Sequence, residues 1–341
     1  MKKIFLIGLT AAAMMASCSN DETVEMAQQK AISFSNAFVN NGTRSIVDPS
    51  FTTENLTDFA VYGFTQSGQI FNGEKVSGTT STGWSYDNVQ YWVPGNTYTF
   101  GAIAPHRAAN VSDVKLPEGA TKVEMKVAFT NTDADQVDLL HAEPAQITGV
   151  TPTYTTPVSM TFNHQLSKVK FSFENVVGAG YNVKVSNVKI TDAFKEGTLT
   201  VAATGNTWDN QTNKNLELNF GNVVDNASTT EASFIANAAT LESYNEKLMI
   251  PMDATATYTV TFTAGLYKGE VLLGTYNHRV EIKNVEFKLG YCYDFKASLT
   301  HENITGQDEL NPIEFAVTKV EDWNKADVDK GLNVSTTQSG I

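Results

Sequence analysis

The side chains that could do chemistry are few, and most stand alone. His106, His141, His164, His278 and His301 are too scattered to pair at metal-ligand spacing, and no H-E-x-x-H or C-x-x-C run exists. His164 sits between two strand-like runs, so it reads as a packed, hydrogen-bonded histidine at a turn rather than a catalyst. Asp133, Asp135 and Asp138 fall close together, as do Asp327 and Asp329 before Gly331. Each group echoes part of a calcium loop, but neither has the glycine and terminal glutamate in register, and both read as solvated acidic loops. There is no G-x-S-x-G, and Gly178-Ala179-Gly180 lacks the third glycine of a dinucleotide loop. No catalytic constellation, no metal site and no cofactor are expected.

One residue is instead placed to be modified. Lys2 and Lys3 precede an apolar run over 4–15, too short to span a bilayer, which reads as a secretory signal over residues 1–17. The run closes on Met15-Ala16-Ser17-Cys18, which resembles a bacterial lipobox. That motif implies cleavage before Cys18 and lipidation of its thiol and amine. Residues 18–30 have no apolar periodicity and read as a tether. Lipidation of Cys18 leaves Cys292 alone, so no intrachain disulfide is expected, although the compartment would allow one.

The elements that must position everything else are strands. Residues 31–45 open with Ile32 and Phe34 apolar and Ser33 and Ser35 polar, the alternation of a half-buried strand. Phe38 continues the apolar run, and 40–43 form a soft polar loop that ends at Arg44. Near the other end, 312–320 repeat the opening: Ile313 and Phe315 are spaced as Ile32 and Phe34 are, with Val317 following. Two strands with one side-chain pattern could fit one groove. Further strands are expected at 56–64, 97–104, 123–129, 158–162, 166–173, 181–190, 199–203, 216–220, 248–251, 257–266, 291–299 and 312–320. Two more are expected within 271–288, and a short helical turn at 236–241. Trp84, Tyr86, Tyr91 and Trp92 could make a sugar-stacking platform, but sandwich core is the better default for such large rings. Pro144, Pro152 and Pro157 suit a domain boundary, giving an N-terminal β-sandwich over 31–150, a C-terminal one over 151–323 and a polar tail over 324–341. Hydrophobic residues make up 41% of the chain and charged residues 18%, a globular composition. A net charge of −13 without a basic patch makes the chain a poor nucleic-acid binder, and no nucleic-acid partner is expected.

Taken in order, these features resemble the fimbrillin family of Bacteroidota, the Mfa-like subunits of type V pili. The resemblance rests on the lipobox with its acidic Ser19-Asn20-Asp21-Glu22 tag, the first I-x-F strand with Thr43-Arg44, and Tyr91-Trp92-Val93-Pro94. It rests also on Gln136-Val137-Asp138-Leu139-Leu140, the run from Phe162 to Val169, the strand at 291–299 and the terminal Val320-Glu321-Asp322-Trp323. The family implies an all-β chain of two tandem transthyretin-like, Greek-key sandwiches. It implies that an Arg-specific protease cuts between Arg44 and Ser45, that the strand carrying Ile32, Phe34 and Phe38 then leaves, and that a neighbouring subunit's strand takes its place. The donor would be the segment with Ile313, Phe315 and Val317. The implied partners are other fimbrial subunits, that protease, and the outer membrane through the lipid on Cys18. The implied place is the cell surface and fimbrium, with a role in adhesion. Phe315→Asp is expected to leave the monomer folded and stop polymerisation. The alternative is a monomeric surface lipoprotein that binds glycan or a host protein through its sandwich loops.

Overall fold

The computed structural model describes residues 30–39, 56–108, 110–226, 228–252, 256–306 and 312–322. Cys18, Arg44, Ser45, the signal and tether segments and the tail 324–341 lie outside the described residues. The chain enters as β1 (Phe34–Val39), then makes a meander of β2 (Asp58–Thr65), β3 (Gly68–Thr79) and β4 (Gly83–Ser85). β5 (Tyr98–Ala104) returns beside β2, and β6 (Val111–Lys115) and β7 (Glu124–Thr130) form a hairpin. β8 (Leu140–Ala142) and β9 (Val158–His164) lead to β10 (Ser167–Asn175). A long ribbon follows, β11 (Tyr181–Ala202) with β12 (Gly205–Gly221), then β13 (Val223–Val224), β14 (Thr240–Ser243) and β15 (Lys247–Met249). β16 (Tyr258–Lys268), β17 (Val271–Ile282), β18 (Tyr291–Leu299), the short helix α1 (His301–Thr305) and β19 (Phe315–Asp322) complete the order.

The described strands form three sheets. The first runs β1-β9-β8-β5-β2-β3-β4, the second β13-β14-β10-β18-β19 with β15 also on β10, and the third β17-β16-β11-β7-β6 with β12 on β11. The architecture is all-β, two tandem sandwiches, as the residue pattern requires. β7 shows why. Met125, Val127 and Phe129 are buried, while Lys126 and Ala128 between them are exposed, so one strand face meets a core and the other meets water.

Three apolar clusters hold the body together. The first gathers Phe34, Phe59, Phe71, Trp92, Phe100 and Phe162 on one face of the first sheet. The second fills the other sandwich, with Phe171, Phe173, Phe220, Phe262 and Phe295. The third, with Tyr62, Ile103, Val127, Leu166, Leu199 and Leu248, lies between first-sheet strands, β7 and the outer part of β11.

Several expectations are corrected. The chain does not change sandwich at 150. β9 pairs with β8 and with β1, and residues 144–157 strap the first sandwich: Ile147 bridges Tyr98 and Val150 is buried in the first core. The prolines mark a loop that crosses the first sandwich, and the passage to the second falls at Gln165 and Leu166. There the Gln165 N–H donates to Leu139 O, and the Gly290 N–H donates to Leu166 O. The strands expected at 181–190 and 199–203 are one strand, because Ala193, Phe194 and Glu196 between them also pair with β12, through register shifts that bend the ribbon. Its base pairs with β16 in the second sandwich and its tip with β7 over the first. The helical turn expected at 236–241 is a turn that leads into β14, and within 271–288 the structure has one long strand plus a single bridge at Phe287. The expected strands also leave out β3, β4, β6, β8, β13 and residues 205–215 of β12, and α1 was not expected; α1 has a Thr300/Asn303 capping box and a left-handed Gly306 at its end.

Candidate functional site

The first strand is held as an edge strand with one long partner. β1 runs parallel to β9, with Phe34 opposite Val158 and Val39 opposite Phe162. Upstream, the Ile32 N–H donates to Gln90 O at 2.8 Å and the Trp92 N–H donates to Lys30 O at 2.9 Å. The Tyr86 hydroxyl donates to Ile32 O at 2.6 Å, and burial raises its pKa, so the hydroxyl stays a donor. β9 meets β8 only over Phe162–His164, so its first residues have β1 as their ladder partner.

Side chains from the body close the seat. Ile32 and Phe34 are both buried in the first core. The Phe34 ring stands within 5.9 Å of Phe59 and of Phe71, 5.6 Å of Tyr86 and 6.2 Å of Phe100, edge-on to each. Edge-to-face packing suits the ring quadrupoles, and burying a phenylalanine contributes about 1.5–3 kcal/mol from area alone. Gly63 makes the cage possible. A Cβ there would lie 2.8 Å from Phe71 and 3.0 Å from Phe100, two of the rings around Phe34, and would force them to shift. Of Phe38 the backbone alone is described, opposite Thr161.

The second I-x-F segment is seated too, in its own sandwich. Ile313 is buried in the second core, and the Phe315 ring lies 5.1 Å from Phe171, 5.7 Å from Phe173 and 6.1 Å from Phe262. Val317 packs against the same core, and β19 is antiparallel to β18 at the sheet edge. This overturns the expectation that Phe315→Asp leaves the monomer folded. The carboxylate would sit among three rings, an unpaired charge in an apolar site.

Other candidates resolve into structural roles. Trp84, Tyr86 and Trp92 pack into or against the first core, and only Tyr91 of that group faces outward, so the four rings make no shared platform. Asp133 pairs with Lys247, Asp135 with Arg107, and Asp138 with the buried His164 at 2.7 Å, so each carboxylate has its own partner. Among the described residues no three metal-ligating side chains converge. Sequence reasoning gave His141 no role. It lies buried beside the joint, where the Asn206 amide donates to its Nδ1 at 3.2 Å, while Nε2 meets no protein partner. Burial pulls its pKa down to about 4.

The fold points to a class. A model of the fimbrillin-like family matches residues 43–323, and the chain belongs to that family. A fimbrial protein from Bacteroides vulgatus superposes with a TM-score of 0.59 at 16% identity, covering 86% of this chain and 99% of that one. A protein described as a cell adhesion protein from Bacteroides ovatus superposes with a TM-score of 0.52 at 18% identity, covering 89% and 99%. At these identities the likeness is one of fold. No curated protein gives a significant match.

Proposed function

We propose that the chain is a structural subunit of a cell-surface fimbria, exported as a lipoprotein on Cys18 and activated by cleavage between Arg44 and Ser45. The cut frees the first strand, which departs with the lipid, and a strand from another copy or another fimbrial subunit fills the seat. Backbone hydrogen bonds along β9 supply affinity, and the ring cage selects side chains at alternate positions. The observation that carries this reading is the seating of Phe34. Every ring of its cage belongs to the body that remains after the cut, so departure leaves a preformed pocket beside an unpaired ladder. The donor is the segment with Ile313, Phe315 and Val317, which has the same spacing and the same ring-packed, edge-strand setting. Donation requires β19 to leave β18. The family match begins at residue 43, just ahead of Arg44, so the first strand lies outside the matched region.

Arginine usage supports a single activating cut. The chain has three arginines, Arg44, Arg107 and Arg279. Arg107 is exposed and pairs with Asp135 through both terminal guanidinium nitrogens, and Arg279 lies inside β17 with a hydrogen bond to Thr259. Limited digestion of the native chain with an Arg-specific protease should therefore give one early cut, after Arg44, followed by a ladder of oligomers on a gel run without boiling. Early cleavage at Arg107 or Arg279 would overturn the single activating cut, and a clean cut at Arg44 with only monomer thereafter would overturn self-polymerisation.

A further inference from the structure

Among the described residues, the large apolar side chains left on the surface gather at the two ends. In the second sandwich β10 and β18 run side by side away from the first, ending at Asn175 and Leu299. The turn between β16 and β17 closes that far end, where the Gly269 N–H donates to Gly180 O. Val271, Leu272 and Leu273 stand exposed at the start of β17, just after this turn, Val271 at 68%, and the exposed Phe234 lies edge-on to Tyr267 at 5.0 Å. In the first sandwich the far end is where β5 begins at Tyr98 and β9 at Val158. Residues 89–93 pass beside it. The Val93 N–H donates to the Tyr98 hydroxyl, and Val89, Tyr91 and Val93 face outward while Trp92 is buried.

The charges beside the two apolar groups match. Lys184 Nζ sits 4.3 Å over the Phe234 ring and Lys268 pairs with Val271 across the turn, and neither has a carboxylate partner among the described residues. At the other end Glu74 accepts from Asn88, and Asp87 accepts from the Val89 N–H through its backbone oxygen; neither carboxylate has a cation partner among the described residues. Glu270 on the turn and Lys30 beside Tyr91 carry the opposite signs, again complementary across the two ends. β19 also begins at the far end of the second sandwich, since Phe315 pairs with Ala297. The 89–93 row, in turn, borders the seat of the first strand.

We propose that these ends dock on each other between copies of this chain, residues 271–273 at the start of β17 of one against the 89–93 row of the next. The contact is head-to-tail, so it leaves a free end at each side and continues into a row. It rests on the reading that copies assemble end to end, and adds to it a side-chain contact that exists before the cut. That contact brings the start of one copy's β19 to the next copy's seat.

The test is sedimentation velocity on the purified, uncut chain across concentration and salt, with two paired substitutions at exposed positions. Leu272→Glu with Leu273→Glu blocks one end, and Val89→Glu with Val93→Glu blocks the other. The unsubstituted chain should show weak, salt-sensitive self-association. Each variant alone should stay monomeric, its dissociation constant raised at least about tenfold, roughly 1.4 kcal/mol. An equal mixture of the two should form dimers and nothing larger, because one free end of each kind remains. An unsubstituted chain that stays monomeric, a variant that self-associates normally, or a mixture that does not pair overturns end docking. After Arg-specific cutting, the ladder of the unsubstituted chain reports strand exchange separately. Its absence would sink exchange while the mixed dimer kept end docking. A ladder formed at the normal rate by both variants would do the reverse.

Discussion

Phe34 anchors the first strand through four edge-on ring contacts, so its loss should be costly. Phe34→Ala is expected to lower the stability of the first sandwich by about 3–5 kcal/mol, measured by urea unfolding of the uncut chain. A loss below about 1 kcal/mol would mean the cage does not hold the strand. His141 gives a pH signature. In the unfolded chain it protonates near its ordinary value of about 6.5, whereas burial holds it at about 4 in the fold. Between those values the unfolded state binds the extra proton. Stability should therefore fall as pH drops through that window, by up to about 1.4 kcal/mol per unit, and His141 should contribute no slope above it. Urea unfolding of the parent and of His141→Leu between pH 7 and 4.5 measures the difference in slope. An equal slope in both would remove His141 as the cause. At this scale the sequence was only partly legible. The I-x-F spacing at Ile32 and Phe34 marked two buried side chains correctly, because strand alternation is written in neighbouring residues. Nothing local marked His141, since its burial depends on Asn206 and the ribbon tip, which are distant in sequence.

Among the elements, β1 and β19 share a side-chain pattern and differ in what holds them. β1 is parallel to β9; β19 is antiparallel to β18 and closes its own core. If β19 is the donor, oligomers formed after the cut should lose hydrogen-exchange protection along Tyr291–Leu299 on the edge β19 vacated, while monomers keep it. Unchanged protection there would move donation to another segment. Most strands were legible because alternation and turn residues are local signals. β11 was not. Its middle, 193–197, carries bulges that break the alternation, and its continuity comes from pairing with β12. The passage between sandwiches was misread for a related reason. Prolines mark a loop, but whether a loop crosses one sandwich or joins two depends on where the next strand pairs. β9 pairs back, while Trp208 at the ribbon tip donates to Gln165 O and ties the second sandwich's ribbon to the joint.

At the scale of the whole molecule, the first sandwich begins with an edge strand and the second ends the described chain in one of similar pattern. Under the proposed exchange, such a body would join copies of itself without closing, and an open series is a filament. The net charge of −13 opposes nonspecific clumping, so the proposed assembly would depend on specific contacts. The two-sandwich class could be read from strand count and turn spacing. The joint could not, because its core draws on Tyr62, Leu166, Leu199 and Leu248, which are far apart in sequence. The most direct measurement is hydrogen exchange of the first residues of β9, 158–161, in the uncut chain, the cut monomer and the oligomer. Strand exchange predicts protection before the cut, loss once β1 has gone, and recovery in the oligomer. Oligomers in which these amides stay unprotected, or which still hold their own first strand, would contradict it.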